Sequence, residues 1–149
     1  KKMKQKFLII DHNPEIVSAL SKKRINCIYG DASDMELLNE LDFSQTKMVV
    51  STIPDFETNI SLIDKVRDVN SSAIIVVVSH RAEEAMQLYE KGASYVILPH
   101  FLGGYHASML IERHGLDFDK FLKEKLKHLE HLKIATNEKR RLLHASVRY

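Results

Sequence analysis

Asp11, Asp31 and Thr52 each stand at or just beyond the end of a short apolar run, and each can hold a polar ligand without reacting with it. A carboxylate at the end of a parallel strand can accept hydrogen bonds from both hydroxyls of an adenosine ribose. It also repels a 2′-phosphate, which argues against NADP. The competing reading is that Asp11 caps the following helix, but Asn13 is better placed for that. His12 lies beside Asp11 on the same edge. The second run ends in Gly30-Asp31-Ala32-Ser33, where Gly30 permits a tight turn and Asp31 with the backbone of Ala32 can bond the edge of an adenine. Here the alternative is a plain turn before a Ser33 helix cap. The third run ends in Ser51-Thr52-Ile53-Pro54-Asp55, whose hydroxyl and backbone groups would line a central crevice near the ribose or phosphates; the alternative is a loop whose path Pro54 fixes. Recurrence at three successive strand ends would place these groups on one rim.

Other chemistries find little support. No Ser–His–Asp order or paired carboxylates suggest catalysis, so no catalytic residue is assigned. His128 and His131 are three apart on a helix-like stretch and His114 and His144 are scattered, but there is no HExxH pair and only one cysteine, so no metal site is expected. Cys27 reads as a small buried hydrophobe. His80 and His100 follow the fourth and fifth runs and could touch a ligand or partner.

The elements that would carry this rim alternate. Apolar runs Phe7–Ile10, Cys27–Tyr29, Met48–Val50, Ile74–Val78 and Tyr95–Leu98 read as strands buried on both faces. Between them, helices are predicted over Pro14–Lys23 (cap Asn13), Asp34–Leu41 (cap Ser33), Phe56–Val69, Arg81–Lys91 and about Leu102–His114. The fourth would turn Ala82, Ala85, Met86 and Tyr89 inward and stop at Gly92. Such alternation implies a doubly wound, parallel α/β sheet.

The 149 residues suffice for one domain of ordinary size, predicted over 1–115, with a helical extension over 116–149. Leu122, Leu126, Leu129 and Leu132 make that extension an amphipathic helix, and the basic stretch from Lys139 reads as frayed. With a net charge of +2, sparse aromatics and no Trp, nothing points to nucleic acid. No run is long enough for a membrane span, and a cytoplasmic setting is expected.

Taken together, FLIIDHNPEIVSAL, IYGDASDMELLNEL, KMVVSTIPDFETNISLI and AIIVVVSHRAEEAMQLYEKGASYVILPHFLGG resemble the RCK domain, also called the Trk-type N-terminal (TrkA-N) nucleotide-binding domain, over roughly Lys6 to His114. The version with Val96-Ile97-Leu98-Pro99-His100 and Gly103-Gly104 is most similar to the cytoplasmic domains of Kef-type monovalent cation:proton antiporters. The resemblance implies a Rossmann-like fold that binds NAD(H) or an adenine nucleotide (ATP or AMP) and gates potassium or sodium transport. It implies Asp11 on the ribose, Asp31 and Ala32 around the adenine, Thr52 and Ile53 along the crevice, and a homodimer formed near Tyr95–Arg113. The partner would be a membrane-embedded cation transporter portion of the same longer chain or another subunit.

The sequence departs from that family in having no strand and GxGxxG turn ahead of Phe7, and Lys1–Lys6 resemble the end of the helix after that turn. The expectation is therefore an N-terminally truncated domain whose sheet has a gap, closes up or borrows a partner's strand. Nucleotide binding by this chain alone should be weak or absent. The alternatives are an interaction domain that keeps the fold without the ligand, and a small NAD-dependent oxidoreductase, for which neither substrate domain nor proton donor is visible.

Overall fold

The computed structural model describes residues Lys6–His144, with side chains as far as Asn137. Five strands alternate with helices: β1 (Ile9–Asp11), α1 (Pro14–Lys22), β2 (Cys27–Tyr29), α2 (Met35–Glu40), β3 (Met48–Val50), α3 (Phe56–Val69), β4 (Ile74–Val78), α4 (Ala82–Glu90), β5 (Tyr95–Ile97), α5 (Pro99–His114) and α6 (Phe118–His144). Every ladder is parallel. The fold is α/β and Rossmann-like, as the alternating pattern requires.

The strands fall into two sheets, β1-β2 and β3-β4-β5. The described residues correspondingly form two compact units, one from Lys6–Asp34 together with Leu116–His144, the other Met35–Gly115.

In the first unit, Ile9, Ile10 and Asp11 pair with Cys27, Ile28 and Tyr29. Pro14 opens α1, and the Asn13 side chain accepts from the N–H groups of Glu15 at 2.9 Å and Ile16 at 3.4 Å. These bonds satisfy donors that have no partner within the helix. Ala19 is buried, and α6 packs against α1. The helix α6 persists to His144, so the backbone of Lys139–His144 is helical where fraying was expected; residues 145–149 of that stretch, and Lys1–Gln5 of the expected helix end, lie outside the described residues.

The second unit holds the main core. Leu38, Phe43, Leu62, Ile63, Val66, Ile75, Val77, Leu88 and Val96 are buried in one cluster. Central strand β4 pairs with β3 through Met48↔Ile74 and with β5 through Val76↔Tyr95. Asp55 caps α3, accepting from Thr58 N at 2.8 Å. Gly92 ends α4 with φ +109°, the left-handed stop that its position predicts.

Four local expectations need correction. The strands are not buried on both faces: Ile75 and Val77 are enclosed, yet Ile74, Met48 and Val50 are exposed, because successive side chains of a strand point to opposite faces and only one face here meets the core. Helix α4 buries Ala85 and Leu88, while Met86 and Tyr89 are exposed. Helix α5 begins at Pro99 because proline's fixed φ suits a first helical position, so β5 stops at Ile97 and Leu98 becomes the cap. Helix α2 begins at Met35, since Asp34 N is engaged in a turn with the Asp31 carbonyl at 3.0 Å.

Candidate nucleotide site at the strand ends

In the first unit the carboxyl ends of β1 and β2 are stitched together. Gly30 N donates to the Asp11 carbonyl at 3.2 Å, directly beyond the Asp11↔Tyr29 pair. Asp11, His12, Asp31 and Ala32 therefore share one rim. Asp11 is half-buried, and its Oδ1 accepts from Asn13 N at 2.8 Å. Asn13 in turn caps α1, so the Asp11 carboxylate is positioned by the turn without serving as the helix cap. Oδ2 carries no hydrogen bond among the described residues and is the oxygen available to a donor.

Asp31 is exposed, and its Oδ1 accepts from Ser33 N at 2.9 Å. The Ser33 backbone N–H, followed by the Ser33 side chain, holds the Asp31 carboxyl below the usual aspartate range, with a smaller contribution from the nearby His12. Hydrogen bonds that favour the charged form have this effect. The Asp31 carboxylate is thus built as an anionic acceptor. Ala32 is half-buried and His12 is exposed.

In the second unit, Thr52 and Ile53 follow β3. Ser51 N donates to the Val76 carbonyl at 2.8 Å, carrying the β3–β4 ladder one residue further. Ile53 N then donates to Ser51 Oγ at 3.3 Å. Thr52 is exposed on this loop and Ile53 is half-buried. The same rim carries Ser79, buried, with N–H donating to the Ile97 carbonyl at 3.0 Å and Oγ donating to Glu84 Oε2 at 2.9 Å. His80 and His100 meet on it with ring centroids 5.8 Å apart.

The six expected residues therefore form two sets, Asp11, His12, Asp31 and Ala32 on one unit and Thr52 and Ile53 on the other, each at the carboxyl ends of parallel strands. Among the described residues no group of three or more His, Cys, Asp or Glu could hold a metal, and no helix is long and apolar enough to cross a membrane.

Two polar anchors were not anticipated. Asn59 is fully buried on α3, and its Nδ2 donates to the carbonyls of Ile53 at 2.8 Å and Val78 at 3.0 Å. Ser79 closes the turn after β4. The signal for Asn59 is its place four residues before Ile63, on the helix face that the core covers.

The chain belongs to the TrkA-N domain family, whose sequence profile matches residues 1–99. It is 30% identical over 63 residues to the glutathione-regulated potassium-efflux system protein KefC of Escherichia coli, an alignment that covers 42% of this chain and 10% of KefC. The chain thus spans about a tenth of the length of these relatives. Its fold is similar to the TrkA-N domain of the inner membrane protein ybaL from Escherichia coli, with a TM-score of 0.65 at 19% identity over 71% of this chain and 78% of that one. The GsuK RCK domain superposes with a TM-score of 0.52 at 25% identity, covering 74% of this chain and 29% of that one. The GsuK channel bound to NAD gives a TM-score of 0.54 at 22% identity over 66% and 18%.

Proposed function

We propose that the chain is a regulatory domain of a potassium or sodium transport system, on the cytoplasmic side of the membrane, that senses NAD(H) or an adenine nucleotide and so gates transport. The observation that carries this reading is the Asp11 carboxylate, whose Oδ1 is held by Asn13 N at the joined ends of two parallel strands. Ligands of open α/β sheets bind outside these carboxyl ends. Asp11 would take the ribose hydroxyls and Asp31 and Ala32 the adenine edge, with His12 at the margin; Thr52 and Ile53, on the other unit, would offer hydroxyl and backbone groups to a ligand at their own strand end. Membership of the TrkA-N family and the likeness to KefC, a potassium-efflux protein, and to GsuK, a channel seen with NAD and with ADP, support the setting. The residues would bind and do no covalent chemistry. Regulation follows if the nucleotide favours one of two arrangements of a homodimer that the membrane-embedded part reads.

Binding by the strand-end groups themselves is expected to be weak. Amide chemical-shift mapping with millimolar NADH, NAD, ADP and AMP reads binding of that strength. Shifts concentrated at Asp11, Asp31–Ala32 and Thr52–Ile53 are expected. A folded protein whose spectrum ignores all four nucleotides removes the sensor reading.

A second reading, an interaction domain that keeps the fold without the ligand, is favoured by α5. Phe101, Tyr105 and Ile111 are exposed on it, and none of its residues is buried. Concentration-dependent dimerisation unaffected by nucleotide would favour that reading over the first.

A further inference from the structure

We propose that Asn59 is a positioning residue of the nucleotide site, clamping the Thr52–Ile53 loop in its ligand-ready shape. The proposal rests on the nucleotide reading given above and adds to it a residue that touches no ligand.

Asn59 is fully buried one turn into α3, on the face that also carries Ile63 and Val66. A hydrocarbon side chain would fill such a place without leaving polar atoms to satisfy. The amide nitrogen instead spans two strand ends, donating to the Ile53 carbonyl at 2.8 Å and the Val78 carbonyl at 3.0 Å. Two carbonyl acceptors at these distances fix which end of the amide is nitrogen. The other end, Oδ1, is buried with no hydrogen-bond partner among the described residues. Leaving a buried acceptor unpaired is unfavourable, so the amide is explained by what its nitrogen holds.

What it holds is the loop after β3. Ser51 Oγ takes the Ile53 N–H at 3.3 Å, Asp55 caps α3, and Asn59 draws the Ile53 carbonyl inward. Thr52 is left on the outside of the loop, exposed where a ligand would pass. Val78, the second acceptor, ends β4, so the clamp references the loop to the central strand of its sheet. Without the amide the Ile53 carbonyl loses its inward partner, and the Thr52 backbone is free to turn.

The test compares the protein with its Asn59→Leu and Asn59→Asp variants by thermal melting, by hydrogen exchange, and by chemical-shift titration with NADH and ADP. Asn59→Leu should remain folded, exchange its Thr52 and Ile53 amides at least about tenfold faster while the β4 amides Ile75 and Val77 hold, and weaken both nucleotides by about tenfold. A folded Asn59→Leu with unchanged affinity and unchanged loop exchange overturns the clamp and leaves the nucleotide reading standing. Absence of binding to the unaltered protein overturns both. Asn59→Asp supplies an arm that does not depend on the Leu variant folding. Its carboxyl can donate to a carbonyl only when protonated, and burial raises the pH at which that happens. Its nucleotide affinity should recover as pH falls from about 7 to about 5, relative to the unaltered protein. Parallel pH profiles for the two proteins overturn the proposal.

Discussion

Arg67 grips the carbonyl of Gly92 with two nitrogens, Nε at 3.0 Å and Nη2 at 2.7 Å. The same guanidinium donates through Nη1 to the carbonyls of Asn70, Ser71 and Ala73, the last at 2.8 Å. One side chain thus ties the end of α3, the entry to β4 and the stop of α4 into a single corner.

Gly92 is the position where that corner tolerates least. Its φ is +109°, and a Cβ placed there would come within 3.0 Å of Arg67 Nε. Gly92→Ala should therefore lower unfolding stability by about 1–3 kcal/mol, measured by urea titration. Arg67→Met should cost about 2–3 kcal/mol by leaving several carbonyls without their charged donor. The double variant should lose less than the sum, because both changes act on one set of contacts.

Asp11→Asn separates the carboxylate's charge from its turn. The amide keeps an oxygen for Asn13 N, so the melting temperature should move little. Its affinity for NADH or ADP should fall about tenfold, because hydrogen bonds to a charged acceptor are the stronger ones. Discrimination against NADPH should shrink as well, since the charge that repels a 2′-phosphate is gone. Shift titrations with the paired cofactors measure both effects.

Asp55 links acidity to the start of α3. The Thr58 hydroxyl, donating to Oδ1 at 2.6 Å, and then the Thr58 N–H hold its carboxyl below the usual aspartate range. A group whose folded value is depressed contributes stability above its unfolded value and loses it as pH falls through the folded one. The contribution of Asp55 should therefore be complete at neutral pH and disappear below the ordinary aspartate range. Carboxyl-detected NMR should place its midpoint below that of an unstructured aspartate. Thr58→Val should raise that midpoint and weaken the acid-range pH dependence.

Helix α5 carries the dimer prediction. Phe101 and Tyr105 lie four residues apart, 74% and 66% exposed. If a second copy covers them, Phe101→Glu with Tyr105→Glu should raise the dimer dissociation constant at least about a hundredfold, read by sedimentation velocity. The melting of the separated protomer should be unchanged, since neither side chain is buried within it.

Sequence patterning located β2, β3 and β4 residue for residue because short apolar runs between turn residues have few other uses. Asn13-Pro14 marked α1 for the same kind of reason, a cap and a first-turn proline acting locally. Pairing was not legible in that way. Whether β1 and β3 share a ladder depends on non-local contacts, and each run is equally apolar in either arrangement. On α4, Met86 and Leu88 are both apolar, and packing decides which is covered. Spacing from Ile63 puts Asn59 on the core-facing side of its helix, but its partners, the Ile53 and Val78 carbonyls, were not legible in the sequence. The local turns around Asp11 and Asp31 could be anticipated from residue type. That Asp11 keeps Oδ2 while spending Oδ1 on Asn13 N could not.

Division of five strands between two ladders matters most in a crowded solution. Among the described residues β1 and β2 are the outer strands of their ladder, and β3 and β5 of theirs. Such borders recruit extended peptide. How such borders are sheltered bears on solubility and on association with other chains. A short extended peptide that seats along one of them would improve solubility without altering any side chain of the rim.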